Sequence, residues 1–451
     1  MDYIIYFVIT IGILVFIHEF GHFIAAKAFK MRVDVFAIGF GKRLFGWNKK
    51  SGFTYGDLDK DFDGEGNTDY RLSLLPLGGY VKIAGMVDES FDTNFANEEP
   101  KPYEFRARPT YQKIIVITAG VMMNLLLALM VFWGANFFNG KQITKTTTIG
   151  YVAPNSQADS LGFLTNDKII AVNQKPVYNW GELHNQIFVY TAGLKLDFKV
   201  ERNGKIIHIK APRSKIPSPG ENKILLIPSG VKPAVAGVSA NSPAKKAGLK
   251  EGDIFLKLNG KELYSRQQAI EIISSHKNVS LPLVIKRGRD TLNLAVTPGS
   301  DGMIGIQIAQ AFTGPVEYET YGFFASFYQG WLDIEKTTEL TFNMFGKVFK
   351  GDVAFGKVFG GPIKIAQLAT QSAQAGISRF LLFLALLSLS LAILNILPFP
   401  VLDGGHLVII IIEGIIKREI SIKVKIAIQN TGFAILLLLM AYIIYSDIIN
   451  F

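Results

Sequence analysis

Four long apolar runs are the feature that most restricts the fold of this 451-residue chain. A helix needs about 20 mostly apolar residues to cross the hydrocarbon layer of a bilayer. Soluble domains average about 25% charged residues, whereas this chain has 19% and is 49% hydrophobic. We therefore predict a multi-pass α-helical membrane protein with four transmembrane helices, in the ranges 1–29, 113–137, 379–412 and 425–447.

The first run is predicted to remain in the protein as a helix. It has neither the basic n-region nor the small-residue cleavage site of a secretory signal peptide. Lysine and arginine concentrate at cytoplasmic ends of spans, which places the 30–112 loop on the cytoplasmic side and the 135–375 region outside. The basic residues used for this orientation are Lys27, Lys30, Arg32, Arg106, Arg108, Lys113, Lys417, Arg418, Lys423 and Lys425.

Net charge and cysteine content restrict the partners and the chemistry. The formal net charge is +10, and zinc-finger, RNP and basic-helix patterns are missing, so membrane lipid is the expected partner and nucleic acid is not. The chain has no cysteine. Disulfides, thiol catalysis and cysteine-bound metal are therefore excluded, and any zinc must be held by histidine and carboxylate side chains.

The region between the second and third runs contains an internal duplication at an offset of about 86 residues. Short β-branched runs alternate with Gly and Asn turns in both copies, and the stretch 244–260 resembles the PDZ family. We predict two tandem extracytoplasmic PDZ domains of α+β type, at 145–222 and 228–311. PDZ domains bind extended peptides at a sheet edge, so peptides are expected ligands. Alternatively, the copies act only as spacers or as a size filter.

The first apolar run contains the sequence HEFGH, which begins at His18 and ends at His22. Residues four apart lie on one face of a helix, so both imidazoles can bind one Zn²⁺ while Glu19 serves as a general base. Ionisable residues inside an apolar span mark functional sites by default. The motif predicts a zinc site, and the alternative is a polar helix end that makes ordinary hydrogen bonds.

A catalytic zinc ion needs a third protein ligand and an open position for water. Three of the six histidines lie in or beside the duplicated region, on the other side of the predicted membrane. Asp403 and His406, just after the third apolar run, remain as candidates. Pro398 and Pro400 break the helix there, and a broken helix at membrane depth is tolerated only where it is buried or lines a cavity.

Together these motifs resemble the site-2 protease family of intramembrane zinc metalloproteases, and within it the bacterial regulator-of-sigma-E branch. HEFGH on the first span, NILPFPVLDGG at 395–405 on a later span and PDZ repeats between them carry the resemblance, which covers essentially the whole chain. The resemblance implies four spans, a membrane-reentrant β-loop and two extracytoplasmic PDZ domains.

The resemblance also implies roles for individual residues. His18, His22 and Asp403 would bind one zinc ion per chain, and Glu19 would be the catalytic base. Asn395 would help to bind substrate or to steady the oxyanion. These roles rest on the matching positions of the family motifs.

Two stretches after the first span, 38–42 and 74–82, resemble the membrane-reentrant β-loop of this family. The edge of such a loop can pair with an unwound substrate segment by strand addition. The resemblance therefore implies substrate binding by Gly78, Gly79 and Tyr80. Alternatively, the glycines serve tight turns.

Two further stretches match the family less directly. The stretch 119–124 resembles the second-span motif, with Val121 where many relatives have proline, and 361–366 resembles the segment before the third span. Both could instead reflect close packing of small residues. For His406 we expect a supporting or helix-capping role rather than zinc ligation.

An acidic insertion at 57–69 separates the two halves of the β-loop. Asp59, Asp61 and Asp63 fit the first half of an EF-hand calcium loop, but Tyr70 occupies the twelfth position, where Glu is usual. We expect a solvated loop tip, with calcium binding as the alternative.

The segment 319–375 is predicted to form amphipathic and linker helices. Its first part, 319–350, is rich in aromatic residues and has an apolar stripe at helical spacing. An interfacial amphipathic helix is the expected form. The alternative is a helix packed on the PDZ domains.

The resemblance implies an intramembrane zinc metalloendopeptidase of the bacterial cytoplasmic (inner) membrane, with the PDZ domains on the periplasmic side. Expected substrates are single-span membrane proteins whose outer domains have been cut away, namely an anti-sigma factor and remnant signal peptides, in regulated intramembrane proteolysis. A non-enzymatic membrane PDZ scaffold with a structural zinc is the alternative. Structural zinc is normally held by four protein ligands, and only three are evident.

Overall fold

The computed structural model describes residues 2–59, 62, 64–86, 99–192, 194–217, 225–353 and 360–449. The chain divides into two units. Unit 1 comprises Met1–Gly140, Thr320–Thr341 and Phe359–Phe451, and unit 2 comprises Lys141–Glu319 and Phe342–Val358.

The helices and strands of the described residues follow one another along the chain. They are α1 (Asp2–Ala28), β1 (Val33–Asn48), β2 (Gly52–Tyr55), β3 (Asp69–Ile83), α2 (Thr110–Phe138), β4 (Lys141–Thr144), α3 (Gln157–Ser160), β5 (Lys168–Val172), β6 (Lys175–Pro176), α4 (Trp180–Asn185), β7 (Leu196–Arg202), β8 (Lys205–Ala211), β9 (Val231–Val238), α5 (Pro243–Lys246), β10 (Ile254–Leu258), β11 (Lys261–Glu262), α6 (Arg266–Ser275), β12 (Leu281–Arg287), β13 (Asp290–Val296), β14 (Ile306–Phe312), β15 (Val316–Glu319), α7 (Phe323–Phe349), α8 (Pro362–Gln374), α9 (Ile377–Asn395), α10 (Asp403–Ile416) and α11 (Ile422–Ile449).

Four helices of the described residues, α1, α2, α9 and α11, are long and apolar enough to cross a membrane. Each coincides with one of the four apolar runs. Many of their large apolar side chains are exposed, for example Ile4 at 70% and Leu438 at 73%. Contiguous apolar surface of this kind is rare on soluble monomers and suits lipid contact. The prediction of a membrane protein with four apolar helices is confirmed.

The third apolar run forms two helices rather than one. Helix α9 ends at Asn395 and α10 begins at Asp403. Pro398 and Pro400 lie in the intervening bend, where Val401 takes a φ of 81°, and proline removes the backbone donors that a continuous helix would need. Gly404 fits because a Cβ there would lie 2.2 Å from the carbonyl oxygen of Leu397. The bend therefore folds back tightly onto the start of α10.

The sheet of unit 1 has the strand order β2-β1-β3. Residues 35–38 of β1 pair with both halves of β3, so that Ile38 is opposite Leu72 and also Gly79. This sheet packs on α1, α2 and α10. The buried members of their shared core are Ala26, Met31, Val33, Phe36, Val81, Ile83, Phe105, Val116, Ile117 and Ile410.

A buried arginine fixes the β1–β2 hairpin to β3. The Arg43 side chain is fully buried and donates from Nε and Nη2 to the two carboxylate oxygens of Asp69, at 3.2 and 3.1 Å. Its Nη1 donates to the carbonyl oxygens of Thr54 and Gly56, at 3.1 and 2.6 Å. Because a bidentate pair constrains both position and angle, Arg43 holds the hairpin in one orientation relative to β3.

Helix α7 packs on α2 through the part that belongs to unit 1. Gly330 lies against the backbone of Trp133, where a Cβ would come within 2.9 Å of its nitrogen. Asn136 donates to Asp333 Oδ2 at 2.8 Å, and Trp133 Nε1 donates to the carbonyl oxygen of Phe323 at 3.1 Å. The aromatic-rich segment is therefore helical, as its periodicity predicted, and this part of it packs on a candidate span.

Unit 2 contains the same arrangement of four strands twice, as β6-β5-β7-β8 and as β11-β10-β12-β13. The first copy has the strand order β6-β5-β7-β8, and the second has β13-β12-β10-β9-β14 with β11 on β10. Short helices α3 and α5 begin at matching serines, since Ser156 and Ser242 each accept a hydrogen bond from the backbone N–H three residues on. The duplication found in the sequence is therefore present in the fold.

Each of the two copies also contains a buried ion pair at the equivalent position. Arg202 Nε donates to Asp167 Oδ1 and Arg287 Nε donates to Asp253 Oδ1, both at 2.7 Å. The aspartates are 1% and 0% exposed. Burial by itself raises the pKa of Asp253, but hydrogen bonds from Arg287 and from the Lys250 N–H outweigh it, so the pKa lies below its ordinary value of 3.8. The folded second copy therefore favours the ionised carboxylate.

We expect Asp253→Asn to destabilise the second copy by about 2–3 kcal/mol, less than the about 3–5 kcal/mol of a wholly buried pair because Arg287 is partly exposed. Amide hydrogen exchange in β10 and β12 of the full-length protein should accelerate accordingly. In the unmutated protein the stabilisation is present above pH 3.8, the ordinary pKa, and is lost as pH falls through the lower folded value. Asp167→Asn is the matched control and should accelerate exchange in β5 and β7 only. Unchanged exchange in β10 and β12 of Asp253→Asn would contradict this account.

Candidate metal centre

Two imidazoles and one carboxylate converge inside unit 1. His18 and His22 lie one turn apart on α1, with their Nε2 atoms 3.3 Å from each other. Asp403 Oδ2 lies 3.2 Å from His18 Nε2 and 3.6 Å from His22 Nε2. Among the residues that the structure describes, this is the one group of three His, Asp or Glu side chains with ligand atoms close enough to share a metal ion.

The donor set fits a zinc ion. Zinc in catalytic sites takes three protein ligands of nitrogen and oxygen type and leaves one position open. Asp403 Oδ2 is buried and has no hydrogen-bond partner of ordinary geometry among the described residues. A buried oxygen without such a partner is costly, and a cation between it and the two Nε2 atoms would satisfy it. His18, His22 and Asp403 are the residues that would hold the ion.

Helix α2 supports both imidazoles along one stripe of residues spaced by four. The carbonyl oxygen of Val116 lies 2.8 Å from His22 Nδ1, and Asn124 Nδ2 lies 3.2 Å from His18 Nδ1. Gly120 lies between them and leaves space for the rings. Residues four apart share a helix face, so α2 and α1 meet along this stripe. Sequence reasoning noticed the 119–124 motif but did not assign it this role.

The absence of a side chain at position 120 is essential to this packing. A Cβ there would lie 2.3 Å from His22 Nε2 and 2.7 Å from His18 Cε1. We expect Gly120→Ala to displace an imidazole and to weaken zinc binding at least tenfold, measured by competition with a chromogenic chelator. Gly134→Ala is the matched control on the same helix, because a Cβ at position 134 meets nothing within 4 Å. Equal zinc affinity of the two variants would refute this packing argument.

Glu19 lies beside the cluster in a small cavity of about 60 Å³. The cavity is lined by His18, His22 and Asp403 as well as by Glu19 and Tyr80. Glu19 is 8% exposed. A water molecule needs roughly 10–15 Å³ of such space, so the cavity has room for water and for part of a ligand beside the carboxylate.

The other predicted site residues lie around this cavity. Asn395 Nδ2, at the end of α9, is 3.4 Å from His18 Nε2. Tyr80 lines the cavity, accepts a hydrogen bond from Arg71 and stacks on Phe40. At Gly79, a Cβ would come within 3.2 Å of Glu19 Cγ.

Gly78 has a φ of 136°, a backbone conformation that residues with a side chain rarely adopt. A Cβ there would also lie 2.3 Å from the Phe40 ring. This part of the β-loop therefore requires glycine at position 78, because a side chain there would clash with Phe40.

Two remaining sequence candidates fall outside the cluster. The Nε2 atom of His406, on α10, lies 3.2 Å from the side-chain amide nitrogen Nε2 of Gln429. His406 is not a member of the ligand group. Of the acidic residues considered for calcium, Asp59 is described, whereas Asp61 and Asp63 lie outside the described residues. Calcium binding there stays an untested alternative.

Comparison with known proteins shows the family of this chain. The family model for peptidase family M50 matches residues 6–56 and 60–439. The regulator of sigma E protease of Salmonella typhi is 31% identical over 98% of this chain and 97% of its own length. The regulator of sigma-E protease RseP of Escherichia coli K12 is 30% identical with the same coverage. A Neisseria meningitidis relative named "Putative zinc metalloprotease" is 30% identical over 99% of both chains.

One solved structure, the PDZ domain of an SdrC-like protein of Listeria monocytogenes, is 24% identical and covers 17% of this chain and 86% of that domain, with a TM-score of 0.16.

Four apolar helices and a His–His–Asp cluster beside a glutamate define a membrane metallopeptidase. The chain belongs to peptidase family M50, the site-2 protease family. It is a zinc metallopeptidase of the site-2 type. Family membership thus favours the enzyme over the alternative of a non-enzymatic scaffold.

Proposed function

We propose that this protein is an intramembrane endopeptidase that makes the second cut in regulated intramembrane proteolysis. Its substrates are single-span membrane proteins already trimmed by another protease, namely an anti-sigma factor of an envelope stress response and remnant signal peptides. The observation that carries the proposal is the convergence of His18, His22 and Asp403 with Glu19 in one small cavity among membrane-length helices. Two relatives are named as regulators of sigma E, which supports a role in a sigma-factor response, and the family resemblance implies the substrate class.

In this proposal one zinc ion per chain is held by His18, His22 and Asp403. When bound, zinc polarises a carbonyl oxygen and lowers the pKa of a bound water to about 7. The chain's own part is to fix three ligand atoms that lie within 4.8 Å of one another and to leave the remaining side of the cluster open to the cavity.

Glu19 is the proposed general base and acid. Its carboxylate accepts a proton from the attacking water at an Oε atom and then donates that proton to the leaving amine nitrogen. Glu19 can perform both transfers because its side chain lines the same small cavity as the ligands. Burial keeps bulk water from competing for the proton.

The β-loop is the proposed binding site for an unwound substrate segment. A membrane-spanning helix has its carbonyl groups hydrogen-bonded internally, so the segment around the scissile bond must first unwind. Strand β3 lies at one end of the strand order of its sheet and carries Tyr80 to the cavity, with Gly78 and Gly79 immediately before it. A substrate strand added to this edge would lie beside the cluster. Asn395, 3.4 Å from His18, would donate a hydrogen bond to the developing oxyanion.

Water for hydrolysis needs a polar route into an apolar layer. A second cavity of about 70 Å³ shares Met86, Ile117 and His406 with the site. Its far side is lined by charged residues that include Glu413 and Lys425, which form an ion pair at 2.7 Å. We propose that water reaches the site past His406, which gives this histidine a supporting role.

The proposal includes the topology inferred from the sequence. The chain lies in the bacterial cytoplasmic membrane with the 30–112 loop inside, and the two copies of unit 2 are periplasmic PDZ domains at 145–222 and 228–311. The proposed spans are α1, α2, α9 and α11. The PDZ pair either binds peptides or excludes substrates with bulky outer domains, and membrane lipid contacts the exposed apolar faces of the spans.

The test is zinc content together with cleavage by the full-length protein purified in detergent. The substrate is a single-span model protein offered with and without its outer domain. We expect about one zinc per chain, cleavage of the trimmed form only, loss of cleavage with a chelator and its return with added zinc. Cleavage that persists in zinc-free protein, or failure to bind zinc, would refute the peptidase site. Equal cleavage of both substrate forms would refute the second-cut role alone.

A further inference from the structure

His18 and His22 each have a second ring nitrogen that faces helix α2. For His22, Nδ1 lies 2.8 Å from the carbonyl oxygen of Val116. A carbonyl oxygen can only accept a hydrogen bond, so His22 Nδ1 carries the proton. A neutral imidazole has one N–H, and its Nε2 lone pair is therefore directed toward Asp403. The backbone of α2 thus fixes the tautomer of His22 that can bind a metal.

His18 needs the same tautomer but has a different partner. Its Nε2 atom faces Asp403 and His22, and its Nδ1 atom lies 3.2 Å from Asn124 Nδ2. An Nε2 lone pair available to a cation requires the proton on Nδ1, which then must meet an acceptor. Asn124 Oδ1 is fully buried and has no hydrogen-bond partner among the described residues. The side-chain amide of Asn124 therefore carries a suitable acceptor, its oxygen Oδ1.

We propose that Asn124 is a positioning residue for the zinc ligand His18, with Asn124 Oδ1 accepting a hydrogen bond from His18 Nδ1–H. A half-turn about the Cβ–Cγ bond of Asn124 exchanges its two arms and breaks no hydrogen bond of Oδ1. This inference rests on the proposed role of His18 as a ligand. Metal-binding histidines usually donate their other N–H to an oxygen acceptor, which orients the ring and raises its basicity.

The position of Asn124 is itself fixed from a third helix. The Ser388 hydroxyl on α9 donates to the backbone carbonyl oxygen of Asn124 at 2.8 Å, and both residues are fully buried. Asn395 on the same helix lies 3.4 Å from His18 Nε2. Helices α2 and α9 therefore fix Asn124 beside the Nδ1 atom of the His18 ring, whereas the His22 ring is held from α2 by a backbone group.

The experiment compares zinc affinity and cobalt spectra of three variants of the full-length protein. Asn124→Leu has a side chain of similar size without an acceptor, and its zinc affinity should fall about 10–100-fold. Asn124→Asp keeps an acceptor and has no donor when ionised, so it should stay within about threefold of the unmutated protein and retain its Co²⁺ absorption bands. Asn136→Leu removes another buried asparagine of α2, one bonded to Asp333, and should leave zinc affinity unchanged.

The outcomes separate this inference from the proposed function. Failure of the unmutated protein to bind zinc would overturn the metal site itself. Zinc bound equally by the unmutated protein and Asn124→Leu would overturn only the role of Asn124. An equal loss of affinity in Asn124→Leu and Asn136→Leu would mean that both act through helix packing. A loss in folded Asn124→Asp as large as in Asn124→Leu would mean that His18 needs a donor, against the proposal. Melting of each zinc-free variant identifies the folded material.

Discussion

Replacing Glu19 by Gln should abolish peptide cleavage while zinc remains bound. The amide cannot take a proton from water, and general bases of this kind contribute about 10²–10⁴-fold to rate. Glu19 is not in the ligand group formed by His18, His22 and Asp403, so zinc content should be unchanged. The measurement is single-turnover cleavage of a trimmed single-span substrate, with zinc determined by elemental analysis on the same preparation.

Glu104→Gln provides the matched control for this substitution. Glu104 is also a buried glutamate of unit 1, but it pairs with Arg106 and lines neither the cavity of the cluster nor the second cavity. It should keep both zinc and most of the cleavage rate. If Glu19→Gln cleaves within tenfold of the unmutated protein, another group moves the proton and the proposed role of Glu19 is wrong.

Asp403→Ala should remove the metal as well as the activity. Asp403 Oδ2 is the atom that lies within 3.2 and 3.6 Å of the two Nε2 atoms, and without it two neutral imidazoles remain. Loss of an outer partner of a metal ligand weakens binding about 10–100-fold, so loss of the ligand itself should exceed about 100-fold. Zinc retained after dialysis against a chelator measures this effect.

Asp333→Asn is the carboxylate control for that experiment. The amide oxygen of the new asparagine can still accept the hydrogen bond from Asn136. Asp333 is not a member of the ligand group. It should retain zinc through the same dialysis. Near-equal zinc retention by Asp403→Ala and the unmutated protein would show that another group supplies the third ligand.

The helices could be predicted from the sequence because their signal is local. Apolar runs of bilayer length needed no knowledge of distant residues, and the same holds for the break at Pro398 and Pro400. The Arg43–Asp69 pair was not predictable. Asp69 is the last of several acidic residues in the insertion at 57–69, and a charge pattern does not reveal which carboxylate reaches a given guanidinium.

The site was only partly predictable for a related reason. Helical spacing alone brings His18 and His22 to one face, whereas the choice of Asp403 over His406 came from the family resemblance. The support from α2 uses the Val116 carbonyl oxygen and the missing side chain of Gly120. Backbone groups and empty space leave little trace in a sequence, and the four-residue spacing from 116 to 124 was the available clue.

The order in which the ribosome makes this chain follows from where the cluster's parts lie along it. Asn395, just before Asp403, is 377 residues from His18. At about 5–20 residues per second, translation separates them by about 20–75 s. Throughout that interval the nascent protein carries the HEFGH segment without its carboxylate partner. Translation therefore completes the His–His–Asp cluster only when the last part of the chain is made, so the cluster cannot form while the earlier helices are being synthesised.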